Sequence, residues 1–183
     1  MKALLKDLLG FFILIIVLVL CRIYVIAPIQ VQGESMMPTL SDGEKALAYR
    51  LGNIKRFDVV PLVATDDPSL NYIKRVIGIP GDRISYQQDQ LFINGEKVSE
   101  TYLDQSKEIW KNLQYEEPFT EDFTLEEVTG FDVVPEGYYF VLGDNRRVSK
   151  DSRDTDVGLI PKDNIIGTAK IAIWPPSQWG LIQ

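Results

Sequence analysis

Hydrophobic positions in this chain form one long block followed by many short ones. Leu8 to Cys21 is an uncharged run of mostly Leu, Ile, Val and Phe; Arg22 interrupts it, and Ile23 to Ile29 resumes without charge. Together these are 22 residues, close to the ~20 that a bilayer requires. Arg22 lies near one end beside Tyr24, where a long side chain can reach the interface. A cleaved secretory leader is the competing reading. Against it stand the length of the run and Pro28-Ile29-Gln30, which offers no small-x-small cleavage site. The block is therefore expected to be a retained transmembrane anchor, 8–29, behind a cytoplasmic N-terminus, 1–7. Lys2 and Lys6 favour that orientation, which puts everything after residue 30 outside.

Beyond the block, apolar runs are short and bounded by turn residues. Ile29 and Val31 alternate with polar neighbours. Asp58 to Val63 runs into the Asp66-Asp67-Pro68 loop. Tyr72 to Ile79 is rich in β-branched residues and stops at Pro80-Gly81-Asp82. Arg83 to Val98 reads as a hairpin, with Ile84, Tyr86, Leu91, Phe92 and Ile93 as strand positions and Asn94-Gly95 as a two-residue turn. Tyr138 to Leu142 and Ile165 to Ile173 complete the set, ending at Gly143-Asp144-Asn145 and Trp174-Pro175-Pro176. No segment after residue 30 keeps a long helical period, so the fold is expected to be mainly β. Glu100 to Asp132 breaks the rhythm: from Tyr115 to Asp132 there are seven acids and no bases, yet Phe119, Phe123 and Phe131 are spaced through it. That mixture predicts a small ordered insertion rather than a solvated tail. The expected organisation is a core first part, 30–95, an inserted acidic subdomain, 96–132, and a core second part, 133–183.

Composition narrows the chemistry. At 183 residues the chain has room for one domain with an insertion. A net charge of −7 argues against nucleic acid as the partner. There is no histidine, which excludes a Ser-His-Asp triad, a Cys-His pair and HExxH zinc chemistry. The single cysteine, Cys21, lies inside the apolar block, so neither an intrachain disulfide nor a thiolate cluster can form. No metal and no cofactor is expected, and oligomeric state is not legible.

With imidazole and thiol removed, a serine activated by a lysine is the remaining nucleophile chemistry near neutral pH. An exposed lysine is protonated; burial among apolar groups lowers its pKa. Lys74, between Ile73 and Val76 on a predicted strand, fits best. The plain alternative is that Lys74 and Arg75 form a solvated basic pair on an edge strand. Ser35 lies in Gly33-Glu34-Ser35-Met36-Met37-Pro38-Thr39-Leu40, just beyond the apolar block. Here the alternative is an ordinary turn. Pro38 fixes the chain after the serine, and Met36 and Met37 suit an apolar surface near lipid or substrate. The third stretch, Gly143 to Arg153, carries Asp144, Arg146, Ser149, Asp151, Ser152 and Arg153. It reads either as a loop of local ion pairs or as a source of hydroxyls to orient a lysine amine.

In this order behind one anchor, GESMMPTL, YIKRVIGIPGD and GDNRRVSKDSR resemble the motif blocks of the bacterial type I signal peptidases, as does the Trp174-Pro175 exit. The resemblance implies an all-β catalytic core with a small β-rich insertion behind one transmembrane helix. It implies Ser35 as nucleophile, Lys74 as general base and Ser149 as the hydroxyl that orients the lysine. Arg75, Asp144, Asp151 and Arg153 match residues that hold the site loops. Gly33 stands where some members carry a second serine that donates to the oxyanion, so that site is left to the backbone of Ser35 and Gly33. An extended precursor segment is expected beside Gln32 and Gly33 on one side and Tyr72 and Ile73 on the other, with small residues at the first and third positions before the cut. Met36 and Met37 would face the membrane. The implied partners are signal-peptide-bearing precursors and the lipid bilayer, at a cell membrane. The alternatives are a relative specialised for pilin-type precursors and a non-catalytic anchored binding module.

Overall fold

A computed structural model describes residues 2–182; Met1, the first residue of the expected cytoplasmic segment, lies outside the described residues. The chain opens with helix α1, Lys2–Tyr24. Its stretch Lys6–Tyr24 is long and apolar enough to cross a membrane, with none of it covered by the rest of the protein. The helix stops earlier than the apolar run does. Residues 26–29 of the expected span instead belong to strand β1, Ile26–Gln30, and pair with strand β2, Lys45–Tyr49. Pro28 supplies no N–H and disfavours helical geometry in the residue before it, so the chain must leave the helix here.

The strands that follow are β3, Val59–Val63, β4, Asn71–Gly78, β5, Ile84–Gln87, β6, Gln90–Ile93, and β7, Glu96–Val98. After helix α2, Asp104–Asn112, come the two-residue strand β8, Phe123–Thr124, and the short helix α3, Leu125–Thr129. Then come β9, Tyr138–Leu142, β10, Ile160–Pro161, β11, Thr168–Trp174, and β12, Gly180–Leu181. They build two antiparallel sheets, one in the order β1-β2-β11-β3-β4-β9-β10 with β12 beside β11, the other in the order β7-β6-β5-β8. The predicted hairpin is a meander of three strands: Asn94-Gly95 makes its second turn, and Gln88-Asp89, both with positive φ, makes its first.

Within 96–132 the strands are only β7 and β8, and the remainder is α2, α3 and turns, so this segment is less β-rich than expected. Thr124 and Glu127 form a reciprocal capping box that starts α3. Phe119 and Phe123 are buried, whereas Phe131 is exposed. Asp89 ties the insertion to the meander by accepting from the N–H groups of Phe119 and Thr120 at 2.7 and 2.6 Å.

Two apolar clusters flank β4. Val60, Leu62, Val76, Tyr139 and Val141 form one, joined by partly buried Tyr72. Val31, Met36, Leu40, Val59, Ile73 and Ala169 form the other. Alternation along the strand thus sends Tyr72 and Ile73 to different faces.

Candidate active site

Ser35 lies in the turns between β1 and β2 and is half-buried. Backbone bonds close the base of this loop, Val31 N to Glu44 O at 2.8 Å and Gly43 N to Val31 O at 3.0 Å. Met36 and Leu40 anchor it in the core. Met36 is 1% exposed; it packs inward and cannot form the expected membrane-facing surface, which leaves Met37 as the exposed member of the pair.

Gly33 has φ +79, a left-handed conformation that glycine adopts without strain. Its N–H donates to Asp42 Oδ1 at 2.7 Å. That donor is spent, which corrects the expectation that it faces an oxyanion. The Ser35 N–H has no protein acceptor among the described residues.

Lys74 is on β4, opposite Val60 of β3, and is 3% exposed. It is not a solvated lysine on a rim. Burial lowers its pKa to about 8, resisted by the carboxylates of Asp151, Asp144 and Asp66 and reinforced by Arg153. Its Nζ lies 5.2 Å from the centre of the Tyr72 ring. No hydrogen bond joins Lys74 Nζ to Ser35 Oγ among the described residues; such contacts are often long in substrate-free enzymes and tighten when substrate binds.

The three motifs converge through the backbone. β4 pairs with β9, setting Arg75 opposite Leu142, and β9 leads into Gly143. Asn145 N–H donates to the Ser35 carbonyl at 3.0 Å. Gly143 is the contact point. A Cβ built there would stand 2.5 Å from the Ser35 carbonyl oxygen and 2.2 Å from Ser149 Oγ. Ser149 Oγ is itself buried; it makes no well-formed hydrogen bond, but it lies near enough to the Asp151 carboxylate to help hold that group ionised.

Two ion pairs hold this junction, the first wholly buried and the second with Arg153 partly exposed. Arg75 donates from Nε and Nη2 to the two oxygens of Asp144, at 2.8 and 2.6 Å, and its guanidinium stacks on Tyr102 at 3.9 Å. Thr39 Oγ1 donates to Asp144 Oδ2 at 2.5 Å, tying the serine loop to the same carboxylate. Arg153 pairs with Asp151 at 2.8 Å, and Asp151 Oδ2 accepts from Gly143 N–H at 3.0 Å. Burial works against ionisation of Asp151, but Arg153 and the Gly143 N–H outweigh it and hold the carboxyl below the usual range. Asp144→Ala would strand the buried Arg75 charge, and breaking such a pair costs about 3–5 kcal/mol. Urea unfolding of the detergent-solubilised chain should show a loss of that size, and a loss under 1 kcal/mol would contradict it.

A cleft of about 420 Å³ lies between β1 and the start of β4, lined by Pro28, Gln30 and Gln32 on one side and Leu70, Asn71 and Ile73 on the other. β1 is an edge strand. Asn71 to Lys74 also have one free edge, because β9 begins pairing only at Arg75. An extended peptide can add to such edges. Of the expected lining residues, Gln32 and Ile73 face the cleft. Gly33 and Tyr72 do not line it: Tyr72 lies on the same side of β4 as Lys74, and its hydroxyl donates to Asp66 at 3.0 Å. Thr39, Asn145 and Gly143 lie in the quoted motif blocks, but the sequence assigned them no role, since nothing local marks a residue whose partner is a hundred positions away.

The family model described as "Signal peptidase, peptidase S26" matches residues 4–174. The chain is 42% identical over 172 residues to signal peptidase I of Bacillus caldolyticus, covering 92% of this chain and 90% of the relative. It is 36% identical over 188 residues to signal peptidase IB of Staphylococcus aureus, covering 97% and 93%. The crystal structure of a signal peptidase I from Enterococcus faecalis V583 superposes with a TM-score of 0.59 at 40% identity, over 64% of this chain and 97% of that one.

Proposed function

The chain belongs to the signal peptidase family, peptidase S26, and we propose that it is a membrane-anchored serine endopeptidase in which Ser35 and Lys74 form the catalytic dyad. As a signal peptidase it acts on signal-peptide-bearing precursors. The observation that carries the dyad is Lys74: a 3% exposed lysine on a rigid strand, with its pKa lowered by burial to about 8.

The mechanism follows from the neighbourhood. The precursor lays an extended segment along the free edges of β1 and β4. Neutral Lys74 takes the Ser35 Oγ proton as Oγ attacks the scissile carbonyl. Negative charge gathers on the carbonyl oxygen, and the uncommitted Ser35 N–H is the donor for it. The C–N bond breaks, and the leaving amine takes the proton from the Lys74 ammonium. Water then attacks the acyl ester, giving one proton to Lys74, and Ser35 recovers its own. Ser149, with its Oγ buried against Gly143 and near the Asp151 carboxylate, is the hydroxyl that would fix the lysine rotamer. Arg75, Asp144, Asp151 and Arg153 hold the loops and take no part in bond making.

Helix α1 serves as the anchor, with the N-terminus cytoplasmic and the β body on the far side of a cell membrane. In the test, the full-length chain is reconstituted in vesicles and mixed with a secretory precursor and, separately, with a serine-acylating penem. Cleavage at the signal-peptide boundary and a mass-spectrometric adduct on the peptide carrying Ser35 are expected. No cleavage, or an adduct on another residue, would sink the assignment.

A further inference from the structure

Arg146 and Glu100 form an ion pair at 2.7 Å with both side chains almost wholly buried, 0% and 1% exposed. Neither belongs to the chemistry just described. Glu100 comes from the start of the insertion, Arg146 from the loop after β9. Glu100 Oε1 also accepts from Tyr86 at 2.5 Å and Tyr102 at 2.6 Å. The Arg146 fork reaches Tyr86, Tyr102 and Thr120. One donor is left over: Arg146 Nε–H points back to the Gly143 carbonyl at 3.1 Å.

That last bond gives the pair a purpose. Gly143 N–H is held by Asp151, and Gly143 C=O is held by Arg146. The residue between these two pinned groups packs against the Ser35 carbonyl and the Ser149 side chain. The two clamps are also linked, since Arg153 donates to both Asp151 and the Arg146 carbonyl. A buried ion pair is weak ground for stability, because desolvating two charges consumes most of the attraction between them. Its planar fork, by contrast, fixes distances in a way a single ammonium cannot. We infer that Glu100 and Arg146 are positioning residues for the peptidase reaction: through the Gly143 carbonyl, the acidic insertion sets the spacing between the Ser35 loop and Ser149.

The inference rests on Ser35 being the nucleophile, and its test separates the two claims. The wild-type full-length enzyme is titrated with the penem to count acylatable Ser35, and kcat and KM are measured on a precursor per titrated site. Absence of a Ser35 adduct in the wild type would defeat the dyad before any variant is compared. Arg146→Lys keeps a charge opposite Glu100 but cannot span both Glu100 and the Gly143 carbonyl. It should lower kcat per site at least tenfold with KM within twofold. Glu100→Gln keeps an oxygen acceptor for the fork and removes the charge; it is read in the same way and stands in if Arg146→Lys does not fold. A role confined to stability would reduce the titratable fraction and the melting temperature while leaving kcat per site intact, and that result overturns the inference. So does a rise in KM at unchanged kcat, which would make the insertion a binding element.

Discussion

Lys74→Met is expected to abolish precursor cleavage and, at neutral pH, to make the folded protein more stable. The two effects share one cause. Burial lowers the Lys74 pKa from the ordinary lysine value of 10.5 to about 8, so the fold disfavours the ammonium. The unfolded chain therefore binds more protons at this residue between pH 8 and 10.5, and wild-type stability rises with pH across that window. Below about 8 the lysine is protonated in both states and the full cost of about 3 kcal/mol is present. Methionine has similar length and no charge, so the variant should recover much of that amount at pH 7. The gain should shrink from pH 8 to 10.5 and vanish above it.

Activity runs the other way. Loss of the general base should lower kcat/KM roughly 10³-fold or more. In the wild type only the neutral lysine can take the Ser35 proton, so kcat/KM should rise about tenfold per pH unit up to about 8 and then level. Urea unfolding at several pH values and a pH–rate profile check both halves. Cleavage by Lys74→Met within tenfold of wild type would remove Lys74 from the reaction, as would a wild-type profile that is flat through pH 6–8.

Much of the proposed site could be named from the sequence because histidine is absent and the three motifs are compact. The strands over 59–63, 71–78 and 138–142 were legible too, since β-branched runs there end in strong turn residues. Strand β2 was not. Its inward positions are Ala46 and Ala48, both fully buried, and alanine gives too little contrast with its neighbours to mark a strand. β1 was half visible: the alternation at Ile29 and Val31 marks its end, whereas Ile26 and Ala27 merge with the apolar helix before it. Helix α2, with nine residues and none of them buried, is too short for its amphipathic period to stand out along the chain. What no local pattern carries is partnership. Thr39 meets Asp144 and Arg75 meets Asp144 across 105 and 69 positions, and Glu100 meets Arg146 across 46. Likewise, the sequence shows a glycine at 33 but not that Asp42 has taken its N–H.

Gly143→Ala is the second large effect, and it tests the geometry where Lys74→Met tests the chemistry. The added methyl would lie 2.2 Å from Ser149 Oγ, 2.6 Å from Ser149 Cβ and 2.5 Å from the Ser35 carbonyl oxygen, closer than atoms can approach. One of these obstacles is backbone, and the other side chain is short, so neither can swing aside cheaply. Gly143 itself is pinned at its N–H by Asp151 and at its carbonyl by Arg146. The strain must therefore pass to Ser35 and Ser149. Overpacking of this kind costs about 1–3 kcal/mol of stability, and a displacement of about 1 Å at reacting groups costs on the order of 10²-fold in rate. The expected result is a folded protein with kcat reduced about 100-fold and a slower reaction of Ser35 with the penem. Gly180→Ala, where a methyl meets nothing within 4 Å, is the control and should behave as wild type. If Gly143→Ala instead retains full kcat, the contact between the Gly143 backbone and the Ser35 loop is not what spaces nucleophile from lysine. The alignment of the dyad would then have to come from the β3–β4 pairing alone.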